Sequence, residues 1–258
     1  MRYIRLRPLF LIATTCLMLA ACNLIGPPVN VTPTLQPTPT PTPVPTPTPT
    51  PAQLSAQIGK ATLSSQSFHF TIALSGKPVY TGESQLFSIV SLDGDLKRPD
   101  GVLAVAKVKG GGSIAEVHLV ALAGKQYITN PITRQWQCAP AGEVFNPVVL
   151  FEPASGVEHL LQEGFENVTL VGTEDLGGQP NLHLRGTIAG PPLMAISANS
   201  LGLGTVNADL WADAETMRIT QIVLVDPATD PTTPTTWKIS FSEYDKLVDV
   251  RAPPGTNC

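Results

Sequence analysis

The sequence predicts an α+β domain built on one large, curved antiparallel β-sheet, and three observations carry this expectation. Apolar residues alternate at period two in short runs along most of the chain after residue 51. The turns between these runs are rich in glycine and proline and too short for a parallel crossover, so neighbouring strands run antiparallel. Helical patterning intervenes only at the start and in the middle.

Residues 1–21 are set aside as a targeting segment. Arg2, Arg5 and Arg7 are followed by an uncharged, mostly apolar run from Leu9 to Ala21, the plan of a secretory signal peptide. The run closes on Leu19-Ala20-Ala21-Cys22, a lipobox: an apolar residue, two small ones that admit the peptidase, and a thiol that takes a diacylglyceryl group. An uncleaved membrane span would need about 20 apolar residues, more than this run offers. Cys22 is therefore expected to be the lipid anchor, placing the chain on the extracytoplasmic side of a cell membrane. Asn23 in the next position lacks the aspartate of an inner-membrane retention signal. The rest of residues 22–51 is a stalk in which proline alternates mainly with threonine. Such a tract favours polyproline II and reaches roughly 60 Å over about 20 residues.

Residues 52–258 then form a single domain. Ala52 to Leu63 reads as a short helix, with Leu54, Ile58 and Ala61 on one face. In Ser67 to Leu74 the period changes to two, and Phe68, Phe70, Ile72 and Leu74 share one face of a strand. Further strands are expected over Ser84–Leu92, Val102–Lys109, Ile114–Leu122 and Gln126–Thr129, with Asp93-Gly94-Asp95 and Gly110-Gly111-Gly112 as turns. Asn146-Pro147 and Ser155-Gly156-Val157-Glu158 each look like a helix start, so two short helices interrupt the strands. Strands resume at Asn167–Glu174 and Asn181–Ile188, Pro191-Pro192 opens another helical or irregular piece, and Val206–Ala212, Ile219–Val225 and Thr236–Tyr244 form a closing meander.

The residues carry little that would do covalent chemistry. His69, His118, His159 and His183 are scattered, and each is expected to be a solvent-facing strand or helix side chain; no metal site, cofactor or catalytic residue is expected. No serine elbow or Ser-x-x-Lys motif stands in a strand-to-helix context, and Gly202-Leu203-Gly204 lacks the lysine of a phosphate loop. A net charge of -4 argues against nucleic acid and favours neutral or apolar partners. Once Cys16 leaves with the signal and Cys22 takes lipid, Cys138 and Cys258 remain, either as one disulfide or as two unpaired thiols.

Several segments together resemble the LppX/LprAFG lipoprotein family: Leu210-Trp211-Ala212-Asp213, Thr236-Trp237-Lys238-Ile239 through Tyr244, and Val248 to Pro254. Ser67-Phe68-His69-Phe70, Arg98-Pro99-Asp100, Gly111-Gly112 and Phe151-Glu152-Pro153 with Leu160-Leu161 follow the family's order. The resemblance implies a LolA/LolB-like half-barrel whose helices cover the concave face, and an apolar cavity for acyl chains of a lipid or glycolipid. On that reading Phe68, Phe70, Ile72, Leu74, Leu150, Phe151, Leu160 and Leu161 line the cavity, unless they pack on one another as ordinary core. The expected protein is a monomeric, non-enzymatic lipid carrier or presenter at the cell envelope. Its rivals are an envelope interaction protein with a filled core and a lipid hydrolase built around His159 or His183.

Overall fold

Thr50 caps the first helix among the described residues. Its side chain accepts from the backbone N–H of Gln53 while Gln53 Oε1 accepts from the Thr50 N–H, a capping box that opens helix α1 over Pro51–Leu63. The structure is a computed structural model that describes residues 48–81, 85–139, 144–256 and 258. The signal peptide, Cys22 and most of the stalk lie outside the described residues, and so does the start of the strand expected from Ser84. None of the helices among the described residues is long and apolar enough to cross a membrane.

Among the described residues, twelve strands follow in one open antiparallel sheet: β1 Ser67–Ser75, β2 Val79–Thr81, β3 Phe87–Lys97, β4 Gly101–Gly110, β5 Ser113–Leu122, β6 Lys125–Thr129, β7 Trp136–Cys138, β8 Phe165–Leu176, β9 Gln179–Ile188, β10 Val206–Asp213, β11 Ile219–Asp226 and β12 Thr235–Ser242. Their order across the sheet is β7-β6-β5-β4-β3-β1-β12-β11-β10-β9-β8, with β2 paired to β3. The sheet is two meanders, β1 to β7 and β8 to β12, joined where β1 pairs with β12 through Phe70 opposite Phe241 and Ile72 opposite Ile239. Between the meanders the chain makes a 3₁₀ turn at Pro147–Phe151, helix α2 at Val157–His159 and a π turn at Leu160–Gly164; helix α3 spans Gly190–Ile196.

Two readings of the sequence need correction. Asp93-Gly94-Asp95 does not turn: it lies inside β3, where Gly94 stands opposite both Phe70 and Ala104. A Cβ on Gly94 would come within 2.6 Å of the Ala104 Cβ, so this glycine serves close strand packing and not a turn. The chain reverses later, at residues 98–100. His183 does not face solvent either. It is buried in a stack on Trp211, with ring centroids 4.2 Å apart, and each ring nitrogen meets a carboxylate, Glu174 at 2.8 Å and Asp209 at 2.7 Å.

The inner face of the sheet and the helices share one hydrophobic cluster that includes Ile58, Phe68, Phe151, Leu193 and Trp237. A smaller cluster lies on the outer face, because Val120 and Tyr127 point away from their inward neighbours Leu119 and Ile128. The C-terminal segment covers it with Val248 and Val250. This strap is tied at its start by Asp245 N–H donating to the Ser67 carbonyl (2.8 Å), and at its end by a disulfide between Cys258 and Cys138, with Cα atoms 5.6 Å apart.

Candidate functional site

Aromatic side chains fill one half of the inner face. Phe151 packs against Phe68 and Phe70 with ring centroids 5.1 and 5.0 Å apart, and Phe241 closes against both Phe68 and Phe151. Leu150, Leu160, Leu161 and Ile72 are buried in the same cluster, and Leu74 packs at its edge. The eight residues singled out from the sequence are thus brought together, but as interlocking core, and none of them lines the apolar hollow found further along the sheet.

That hollow has a volume of about 170 Å³ and lies on the inner rows of β3 to β6. Ile89 and Leu92 of β3, Ala106 and Val108 of β4, Val117 and Leu119 of β5 and Ile128 of β6 form its floor. Phe87, Val144 and Phe145 stand around it, and Thr129 and Pro131 complete the lining. Side-chain size explains the location. The inner row of β4 reads Val102, Ala104, Ala106, Val108, and the hydrophobic cluster takes Leu119 and Ala121 from β5, whereas β1 and β12 supply Phe68, Phe70, Trp237 and Phe241. Small side chains opposite a loop that carries Phe145 leave space that aromatic rings would occupy. Phe145 is held in turn by an edge contact with Trp237, centroids 5.9 Å apart. Every strand residue of this floor falls in one of the strands expected from the sequence, Ser84–Leu92, Val102–Lys109, Ile114–Leu122 and Gln126–Thr129; the small inward residues are the signal in the sequence that marks the hollow.

Glu158 fixes the helical cover. It is buried, its Oε1 accepts from Arg98 Nη2, and burial raises its carboxyl pKa against the lowering effect of that guanidinium. Tyr244, half-buried, has its phenol pushed far above the ordinary range by desolvation and donates to the Ile219 carbonyl at 2.6 Å.

The outer face carries two polar clusters. Glu174 accepts from Trp211 Nε1 at 2.8 Å and sits 2.8 Å from His183 Nδ1, contacts that hold its carboxyl below the usual range. His69, Asp95 and Glu243 bring three ligand-type atoms within 4.8 Å of one another, but Lys246 Nζ already neutralises Glu243 at 2.6 Å. His159 faces Glu163 at 3.9 Å, and among the described residues neither His159 nor His183 has a serine as hydrogen-bond partner. The Gly202-Leu203 backbone N–H groups, which a phosphate loop would offer to an anion, donate to buried Asp226 Oδ2 at 2.7 and 3.0 Å.

A family model, the LppX_LprAFG lipoprotein, matches residues 50–250, the span that forms the sheet and its helical cover. The chain belongs to the LppX/LprAFG lipoprotein family. Among solved structures, LprF from Mycobacterium bovis superposes with a TM-score of 0.62 at 16% identity, covering 80% of this chain and 97% of that one. The Mycobacterium tuberculosis lipoprotein LppX gives 0.56 at 16% identity, covering 78% and 98%. A LolA superfamily protein from Nitrosomonas europaea is more distant, with a TM-score of 0.31 at 10% identity, covering 79% of this chain and 96% of that one. No curated protein matches the sequence. LppX/LprAFG membership and the two LprF- and LppX-like superpositions agree on the open sheet with helices on its inner face.

Proposed function

We propose that this lipoprotein binds acyl chains in the hollow of β3 to β6 and carries or presents them at the cell envelope, tethered through Cys22. The observation that carries the reading is the lining: aliphatic and aromatic side chains, with Thr129 the one polar residue, around space that the protein's own side chains leave empty. Each methylene buried in such a place contributes about 0.8 kcal/mol, so an alkyl chain binds there by shape, without a set of directed hydrogen bonds. A tether serves the same end, because two acyl chains on Cys22 suffice for stable membrane attachment. Membership of a lipoprotein family supports the anchor.

A second reading has one observation in its favour. At about 170 Å³ the hollow is smaller than the roughly 300 Å³ at which ordinary ligand pockets begin, and the aromatic half of the core is full. On that view the domain is an envelope interaction protein without a ligand. Titration of a fluorescent fatty acid into the chain from residue 23 onward, carrying no anchor lipid, separates the two. Saturable uptake of one probe per chain supports acyl binding, and an absence of uptake together with no lipid in native mass spectra supports the interaction protein. For the tether, Cys22→Ser is expected to abolish lipidation, and a lipidated Cys22→Ser product would overturn the anchor.

A further inference from the structure

The hollow lies beside an incompletely paired part of the sheet. β6 pairs only with Leu119–Leu122 of β5, so among the described residues the first half of β5 has β4 on one side and no strand on the other, and Thr129 Oγ1 accepts from the His118 N–H at 2.9 Å where the pairing ends. The gap widens into a groove of about 860 Å³ between β5 and the β6–β7 hairpin. Thr129 and Pro131 line both the groove and the hollow, so the two spaces adjoin.

The two spaces differ in chemistry. Lys107 and Arg134 line the groove, and among the described residues neither side chain has an ion-pair or hydrogen-bond partner. Arg134 is presented by a fixed turn: Asn130 Oδ1 accepts from the N–H groups of Ile132 and Thr133 at 2.9 and 3.0 Å, and the Arg134 N–H donates to the Asn130 carbonyl at 2.8 Å. Trp136 and His118 also line the groove, with ring centroids 6.4 Å apart. Glu116 is the one carboxylate in the lining, and it stands in register with Lys107 across β4 and β5.

We propose that this groove is the head-group subsite of the hollow, and that the ligand is a single-chain amphiphile with an anionic head, a phosphate or a carboxylate. This rests on the acyl-binding reading and narrows it. An apolar cavity of about 150 Å³ is known to hold one benzene, so the hollow, at about 170 Å³, takes the end of one alkyl chain and not two whole chains. A chain inserted there brings its head past Thr129 and Pro131 into the groove. There two unpaired cations face it, and the amphipathic indole of Trp136 lines the same groove. The net charge of the whole chain is -4, so the attraction is local to this groove.

Four probes test it by isothermal titration with the chain from residue 23 onward: dodecyl phosphate, dodecanoate, dodecyl glucoside and inorganic phosphate, each below its aggregation concentration. Both anionic amphiphiles are expected to bind about fivefold more tightly than the glucoside, an advantage that shrinks at high salt. Lys107→Gln with Arg134→Gln removes that advantage and leaves glucoside affinity unchanged, which also shows that the variant is folded. Glu116→Gln widens it. Equal affinity for charged and neutral heads, or an anionic preference that survives the double substitution, overturns the head-group subsite and leaves the acyl reading standing. Inorganic phosphate binding as tightly as dodecyl phosphate overturns it too, making the groove a site for the free ion. Binding of none of the three amphiphiles overturns both readings.

Discussion

Arg98 and Glu158, sixty residues apart in the chain, form a buried ion pair that joins the β3–β4 turn to the helical cover. Arg98 Nε also donates to the Ser65 carbonyl at 3.0 Å and Nη1 to the Phe151 carbonyl at 2.8 Å, so one side chain ties the end of α1, the sheet and the 3₁₀ turn together. Removing it leaves a buried carboxylate and two carbonyls without their donor. Arg98→Met is expected to cost about 3 to 5 kcal/mol in chemical denaturation, and Glu158→Gln, which still accepts from the guanidinium, distinctly less.

The same pair sets one part of the pH profile. The folded pKa of Glu158 is raised by burial, so the folded state holds a proton that the unfolded chain releases. Its contribution is therefore fully present below the ordinary glutamate range and is lost as pH rises through the raised folded value. Asp213 works in the opposite sense: hydrogen bonds from Thr216 lower its pKa, and its contribution is lost as pH falls below the ordinary aspartate range. Urea midpoints measured across pH should show the falling limb flatten in Glu158→Gln while the acid limb is retained.

Reduction of the Cys138–Cys258 disulfide frees the strap. The bond spans 120 residues, for which loop-closure entropy sets a cost of about 4 to 5 kcal/mol, and Val248 and Val250 then hold the strap by packing alone. A lower denaturation midpoint with dithiothreitol is expected, with faster hydrogen exchange at Val120 and Tyr127, the residues the strap covers.

Gly59 lets α1 lie against α2. A Cβ at this position would stand 2.6 Å from the Glu158 carbonyl oxygen and 2.9 Å from Gln162 Cγ. Gly59→Val is expected to destabilise by roughly 1 to 3 kcal/mol through overpacking, read as a shift in thermal midpoint.

Much of this architecture is legible in the sequence, and what is not has a physical reason. Ser67–Ser75 and the last three strands stand out because each buries one face only, which imposes alternation. The three-residue strands Val79–Thr81 and Trp136–Cys138 are too short to show a period. Asp93-Gly94-Asp95 reads as a turn by residue type, yet the requirement for a missing Cβ beside Ala104 comes from tertiary packing, which local pattern does not contain. The site divides the same way. The bulky row from Phe68 to Ile72 marks the core, while the hollow is marked by smallness, as at Ala106 and Val117, and smallness becomes visible only when the opposing layer is in place. His183 shows the limit of spacing arguments: Glu174, nine residues away, and Asp209, twenty-six away, meet it only through sheet register.

Substitutions on the two halves of the inner face should separate function from stability. Ala106→Phe adds a ring where space exists and is expected to abolish fatty-acid uptake with a stability change within about 1 kcal/mol. Phe151→Ala empties the packed half, costs about 3 to 5 kcal/mol and leaves uptake by the remaining folded protein intact. Parallel uptake and denaturation measurements on both variants check the contrast.

The most direct measurement is photo-crosslinking with a fatty acid that carries a diazirine near its methyl end, followed by peptide mapping. If the hollow holds the chain, label is expected on the residues around Ala106, Val117 and Ile128, with excess unlabelled fatty acid preventing it. Label concentrated on Phe68, Phe70 or Phe151, or spread over the surface without competition, would contradict an acyl site at β3 to β6.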